Sequence, residues 1–355
     1  MQRMETIESK PIFTPFPSIG QFKDIVRHVK EHTQYVGRDE HDKAIYDNTI
    51  AQPIATFTGS VKVHGTNAAV KYDPKTGILS VQSRNHVLSA KSDNCGFYTF
   101  AMTHKDYFID LLSQLCMTDY GGPNDTPVVA FGEWFGNGIQ KGVAVAELSK
   151  KLMIFAICRE DEKAEDSQWL PKKDLALFFA PEKSIFNITN FPMYEITIDF
   201  NTPQASQNQL VDMTMQVEKE CPVGLYFGKK GIGEGIVWSS PLYGRFKVKG
   251  SEHSSSHTTT LAGVNEEKLA SVAAFVQYAV TQNRLEQGIH EVFTVPGEQP
   301  TNPQIGKYIK WILGDVIKEE TAAMKANNLS SKDVGQAVTT AARTWFLQAG
   351  LSASK

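Results

Sequence analysis

Between Gln21 and Thr33 the apolar residues Phe22, Ile25, Val26 and Val29 recur at helical spacing, which predicts an amphipathic N-terminal helix. From Pro53 onward the period shortens to that of strands. Ala68 to Tyr72 and Ile78 to Arg84 flank the turn-forming run Asp73-Pro74-Lys75-Thr76-Gly77, so a hairpin is expected there, with Lys62 at the mouth of its sheet. Further strands are predicted at Val128 to Trp134, Lys151 to Cys158, Met193 to Phe200, Gly235 to Trp238 and Arg245 to Lys249, with a helix near Gln207 to Glu220 between them. This order describes an α+β fold dominated by antiparallel strands.

The polar run from Ser251 to Thr260 interrupts the periodicity and marks a boundary. Helical spacing follows it: Leu269, Val272 and Val276, then Ile305, Ile309, Ile312 and Val316, then Val334, Val338, Ala341 and Trp345. Ser330, three residues before Asp333, has the spacing of a capping box at the start of the last helix. The expected organisation is one domain over residues 1–250, a linker over 251–262 and a small all-helical domain over 263–355.

A net charge of −3 excludes a globally basic nucleic-acid binder, but not a basic face. Positive residues gather at Lys229-Lys230 and at Arg245-Phe246-Lys247-Val248-Lys249, while Asp161 to Asp166 reads as a solvated acidic loop. No stretch has the length and apolar purity of a membrane span. The first residues lead into Pro11, Pro15 and Pro17 without the apolar core of a secretory signal, so a soluble cytoplasmic protein is expected. Cys95, Cys116, Cys158 and Cys221 are scattered with no Cys-x-x-Cys pair, the pattern of reduced thiols.

Candidate chemistry centres on Lys62-Val63-His64-Gly65-Thr66-Asn67, a lysine just before a glycine turn and among polar side chains. Such a lysine is either a nucleophile or a solvated strand-end residue. To attack phosphorus it must lose its proton, which burial and neighbouring cations such as Arg84, Lys247 and Lys249 favour. Lys247 and Lys249, two apart on one strand, leave the same face and aim two cations at one target, unless they are an ordinary surface pair. Glu234, at the start of an apolar strand, is either a magnesium ligand or a solvated glutamate. Glu133 could accept ribose hydroxyls or lie exposed, and Phe155 could stack on a nucleobase or belong to the core. The glycines around Gly233 do not make a dinucleotide fingerprint, because Ile236 takes the place of the third glycine and a strand follows.

In order along the chain, Lys62 to Asn67, Ser83-Arg84, Phe131-Gly132-Glu133, the Lys151 to Ile157 strand, Glu234-Gly235-Ile236-Val237 and Lys247-Val248-Lys249 resemble the successive motifs of the covalent nucleotidyltransferases. That superfamily comprises DNA ligases, RNA ligases and capping enzymes. Histidine at position 64 with Thr66-Asn67 is similar to the RNA ligase 2 family, which includes phage nick-sealing and kinetoplastid RNA-editing ligases. The resemblance spans Lys62 to Lys249; beyond it there is an echo at Asn283-Arg284-Leu285.

The resemblance implies an antiparallel-sheet, ATP-grasp-like nucleotidyltransferase domain followed by a helical domain that contacts duplex RNA. It implies an ATP-dependent RNA ligase with Mg2+ or Mn2+, sealing 3′-hydroxyl to 5′-phosphate ends through lysyl-AMP on Lys62 and then RNA-adenylate. Glu133 would hold the ribose, Phe155 the adenine, Glu234 the metal, and Lys247 and Lys249 the AMP phosphate. His64, Asn67 and Arg84 would assist nucleotide transfer and engage the 5′-phosphate. Lys307, Lys310, Lys318 and Lys325 are candidates for duplex phosphates, or a solvated helix face. No obligate protein partner is implied. A DNA ligase, a capping-type nucleotidyltransferase and a noncatalytic nucleic-acid-binding relative are the alternatives.

Overall fold

The protein is described by a computed structural model over residues 13–118, 125–160, 167–250, 272–293, 304–326 and 329–349. The expected linker and the acidic run 161–166 lie outside the described residues. In chain order the chain forms β1 (Gly20–Gln21), α1 (Phe22–Gln34), β2 (Tyr35–Arg38), β3 (Ala44–Tyr46), β4 (Ile54–Lys62), β5 (Thr66–Asp73) and β6 (Ile78–Ser83). Helices α2 (Phe97–Thr103) and α3 (Lys105–Met117) follow, then β7 (Val128–Phe135), β8 (Lys151–Arg159), β9 (Gln168–Trp169), β10 (Ile185–Asn187) and β11 (Met193–Asp199). The remainder is α4 (Pro203–Lys219), α5 (Pro222–Tyr226), β12 (Gly235–Ser240), β13 (Gly244–Lys249) and helices α6 (Val272–Ala279), α7 (Gln282–Val292), α8 (Ile305–Glu319), α9 (Thr321–Ala326) and α10 (Ser331–Gln348). The fold is α+β with sheets rich in antiparallel pairs.

The chain divides into two compact units. The first takes Met1–Ser18, His64–Ile139 and Leu148–Phe191; the second takes Ile19–Val63, Gln140–Glu147 and Pro192–Lys355. The first unit carries a sheet in the order β10-β8-β7-β5-β6, with β9 paired to β8. Its pairs are antiparallel apart from β8 with β10. Strand β7 is buried on both faces, as its near-continuous apolar run Val128-Val129-Ala130-Phe131 requires. Helix α3 packs on β5, β6 and β7 through Phe108, Leu112 and Leu115, which recur at one-turn spacing and are fully buried.

The second unit carries the order β1-β13-β12-β4-β11, antiparallel except for the two-residue β1 on β13. Phe57, Trp238 and Phe246 pack ring against ring at its centre, each fully buried and each contributing roughly 2–3 kcal/mol by burial. The C-terminal helices gather around Phe275, Tyr308, Ile312, Val316, Val334 and Val338. The capping box forms as the spacing predicts: the Asp333 carboxylate accepts the Ser330 N–H at 2.7 Å, and Ser330 Oγ accepts the Asp333 N–H at 3.4 Å. The inner edge of α10 differs from the expectation by one residue, running Val334, Val338, Ala342, Phe346. Trp345 lies half out of the core, where its indole N–H donates to Gln282 Oε1 at 2.8 Å. Among the described residues no helix is long and apolar enough to cross a membrane.

Candidate active site

Four of the nine candidate side chains lie in the second unit, where three strand ends meet. Gly235 pairs with Lys62 of β4 on one side and with Lys249 of β13 on the other. Its φ is +148°, and a Cβ there would lie 2.2 Å from the Val248 carbonyl oxygen, so only glycine lets the backbone through. The residue before it, Glu234, is thereby delivered between two lysines. Its carboxylate accepts from Lys62 Nζ at 2.6 Å and pairs with Lys249 Nζ at 3.3 Å, and the residue is only 2% exposed. A carboxylate so buried is tolerable because both oxygens are engaged by cations.

Lys247 shares the face of Lys249 but not its partner. Its Nζ donates to Glu319 Oε1 of α8 at 2.8 Å. The two lysines thus leave one face together and meet different direct partners, with Glu319 acting on Lys249 as well. Burial pushes the Lys247 pKa below the usual lysine value, with repulsion from Lys249 and Lys62 adding to it and Glu319 opposing. Burial also disfavours the charge on Lys249, but Glu234, Glu319 and Asp315 outweigh it and hold its pKa above the ordinary value. Glu319 is depressed to about 2: burial works to raise it, and Lys247, Lys249 and Lys318 overcome that. Three lysines, Lys62, Lys247 and Lys249, converge here, with Glu234 and Glu319 as direct partners and Asp315 also acting on Lys249.

The other five candidates belong to the first unit. The division between the units falls between Val63 and His64, inside the lysine motif. His64 and Asn67 are half-buried. Gly65 donates its N–H to Glu133 Oε1 at 3.0 Å, and a Cβ on it would lie 2.4 Å from the Trp134 carbonyl oxygen. Glu133 thus fixes the turn after the lysine, a role that the sequence reading did not give it. Asn67 pairs directly with Glu133 across β5 and β7, which puts both on one sheet face.

Phe155 occupies a β-bulge: Phe131 pairs with Ala156 and Gly132 with Ile154, leaving Phe155 as the extra residue. A bulge re-aims its side chain. That explains why Phe155 is half-buried in a strand whose neighbours are buried, and the core alternative accounts for only part of its ring. Arg84 is half-buried, and its Nη2 donates to Ser18 Oγ at 3.2 Å.

Two features escape sequence reasoning. Glu319 reads as one more acid on a solvated helix, and only the fold brings it to Lys247. The loop Asn94-Cys95-Gly96 has three successive positive φ values, +51°, +58° and +88°, with Asn94 Oδ1 accepting from Thr66 Oγ1 at 3.4 Å. Its one local signal is the Asn-x-Gly spacing.

Among the described residues no cluster of three or more His, Cys, Asp or Glu gathers to hold a metal. Glu234 is the candidate acid here, and with both oxygens paired to lysines it would meet magnesium through water or by releasing a lysine, the remaining positions being filled by substrate phosphates and water.

A family model described as RNA ligase matches residues 55–249, more than half of the chain. Among solved structures, a Naegleria gruberi RNA ligase mutant with ATP and Mn has a TM-score of 0.42 and 16% identity, covering 67% of this chain and 57% of that one. A mutant of the same ligase with AMP and Mn has a TM-score of 0.42 and 16% identity over 67% and 56%. The ligase with PPi gives 0.41 and 16% over 70% and 61%. The chain thus spans less than two thirds of the length of each of these proteins. No curated protein matches it.

Proposed function

Because this chain belongs to the RNA ligase family, we propose that it is an ATP-dependent RNA ligase of the RNA ligase 2 type, which joins RNA 3′-hydroxyl and 5′-phosphate ends at nicks in duplex RNA. The observation that carries this reading is the Lys62–Glu234–Lys249 triad, with Glu234 buried at its centre, at the meeting point of three strand ends inside the matched region.

Lys62 Nζ, once deprotonated, attacks the α-phosphorus of ATP; a P–N bond forms and pyrophosphate leaves. An oxygen of the RNA 5′-phosphate then takes the AMP, breaking the P–N bond and returning the lysine. The 3′-hydroxyl finally attacks the activated 5′-phosphorus, and AMP departs. Glu234 holds the amine at the strand mouth, which restricts the rotamers it must search before attack. Lys247 and Lys249 bind the AMP phosphate and offset charge that builds in the transition state. Glu133 serves the ribose and fixes the Gly65 turn, Phe155 stacks on adenine, and His64, Asn67 and Arg84 engage the transferred and 5′-phosphates. Mg2+ or Mn2+ held by Glu234 would supply further positive charge beside the phosphates.

The helices from α6 onward serve as the RNA-duplex module within residues 263–355. Exposed Lys307, Lys310 and Lys318 are candidates for phosphate contact; the side chain of Lys325 lies outside the described residues. Arg284, of the Asn283-Arg284-Leu285 echo, has a structural part: it is fully buried between Asp315 and Glu320. The protein acts in the cytoplasm.

Incubation with α-labelled ATP and magnesium, followed by a denaturing gel, tests the first step. Wild type should retain label, and Lys62→Ala should lose it by on the order of 10³-fold or more. Unlabelled wild-type protein, shown to be free of AMP, would favour a noncatalytic relative. Label transfer to DNA ends in preference to RNA ends would favour a DNA ligase.

A further inference from the structure

We propose that residues 13–18 form a positioning strap for the nucleotide-binding face of the first unit, in which Phe16 sets the ring of Phe155 and Ser18 sets the guanidinium of Arg84. The inference rests on the ligase reading above and extends it to a segment outside the family match.

The sheet is built to receive this strap. Gln82 is 2% exposed and Lys71 is 5% exposed, so each needs a partner inside the protein. Thr14 supplies both. Its N–H donates to Gln82 Oε1 at 3.1 Å, and the Gln82 amide donates back to its carbonyl. Its hydroxyl donates to Glu160 Oε1 at 2.6 Å and accepts from Lys71 Nζ at 3.1 Å, while Lys71 also pairs with Glu160. A two-way amide contact of this kind fixes the register of an extended segment.

With Thr14 fixed, Phe16 enters an aromatic cluster. Its ring centroid is 5.1 Å from that of Phe131, 5.0 Å from Phe155 and 5.5 Å from Trp169, the last two edge-on. Two residues on, Ser18 Oγ accepts the Arg84 guanidinium. Register shows what lies beside the strap: Ala69 pairs with both Gln82 and Phe131, and Asn67, two residues earlier, pairs with Glu133. Gln82, Phe131, Asn67 and Glu133 therefore share one face, and the bulge brings Phe155 to the same side. Of the side chains given a nucleotide or phosphate role above, Phe155 and Arg84, each half-buried, are the ones that the strap touches. A stacking ring held at its edge keeps one orientation for its base, and a guanidinium tethered by a hydroxyl keeps its fork aimed.

The test uses the full chain, with Phe16→Leu and Ser18→Ala. Lysyl-AMP formation is followed against ATP concentration, AMP transfer to a 5′-phosphorylated nicked RNA is followed in a single turnover, and melting temperatures are recorded. Phe16→Leu keeps most of the apolar volume but loses the ring. It should raise the ATP concentration for half-maximal labelling by about three- to tenfold, with the maximal rate within about twofold of wild type. Ser18→Ala should slow AMP transfer by about threefold while leaving the ATP dependence unchanged. Because its loss leaves the core intact, Ser18→Ala keeps the test decisive should Phe16→Leu fold poorly. Wild-type behaviour of both variants overturns the strap and leaves the ligase reading standing. Parallel loss of maximal rate, ATP dependence and melting temperature overturns it too, since that is the signature of core packing alone. Wild-type protein that takes no label overturns the strap together with the ligase reading.

Discussion

In the second unit all four candidate side chains are engaged by opposite charge: Glu234 lies between Lys62 and Lys249, and Lys247 meets Glu319. In the first unit other kinds of contact come into play: Glu133 accepts a backbone N–H, Phe155 meets an aromatic edge, and Arg84 donates to a hydroxyl. On the proposed ligase reading the two halves handle different parts of the nucleotide. Charges placed out of water must be paired, so a phosphate entering the lysine cluster competes with carboxylates already in place. Recognition of a sugar and a base by the first unit would involve no such exchange and would depend on shape.

The sharpest break in this comparison is Glu234→Ala, which leaves two lysines facing each other without their shared carboxylate. We expect a loss on the order of 3 kcal/mol in urea unfolding, and an unchanged midpoint would remove the triad as a structural element. Gly65→Ala tests the opposite half. Its Cβ would lie 2.4 Å from a backbone oxygen, and the turn that Glu133 holds must move, costing about 2 kcal/mol and slowing adenylation. Acid addresses Glu319. Its folded pKa of about 2 lies below the ordinary 4.5, so its contribution is complete above about pH 4.5 and is lost as pH falls towards about 2. Acid titration should remove about 1–2 kcal/mol in that window, and Glu319→Gln should flatten the profile there. The smallest effect is expected from Glu133→Gln, which keeps an oxygen for the Gly65 N–H and should cost about 1 kcal/mol in thermal unfolding. A larger loss would mean that the first unit also depends on charge.

Strand existence and the positions of Lys62, Glu234, Lys247 and Lys249 were legible because glycines and alternating apolar residues punctuate them locally. What those lysines pair with was not, since Lys62 and Glu234 are 172 positions apart and no local pattern encodes their meeting. Helix α2 has only seven residues, too few turns to display a period, whereas the spacing of Phe108, Leu112 and Leu115 on α3 is a legible signal that the sequence analysis does not use. On α10, Ala341 and Ala342, like Trp345 and Phe346, are adjacent apolar residues, and a 3.6-residue repeat does not choose between them without the facing helices. Phe155 was placed on its strand, but the bulge that frees it comes from a register slip against β7, a non-local property.

The pairing of Lys62 with Gly235 also sets a schedule for synthesis. The Lys62 end of strand β4 leaves the ribosome long before β12, the strand that pairs with it, and at about 5–20 residues per second the wait is roughly nine to thirty-five seconds. During that interval the lysine has no Glu234, and a strand with exposed N–H and C=O groups is open to pairing with other chains. Slow decoding or chaperone shortage between codons 62 and 249 should therefore lower the yield of native protein more than the same delay placed after codon 249.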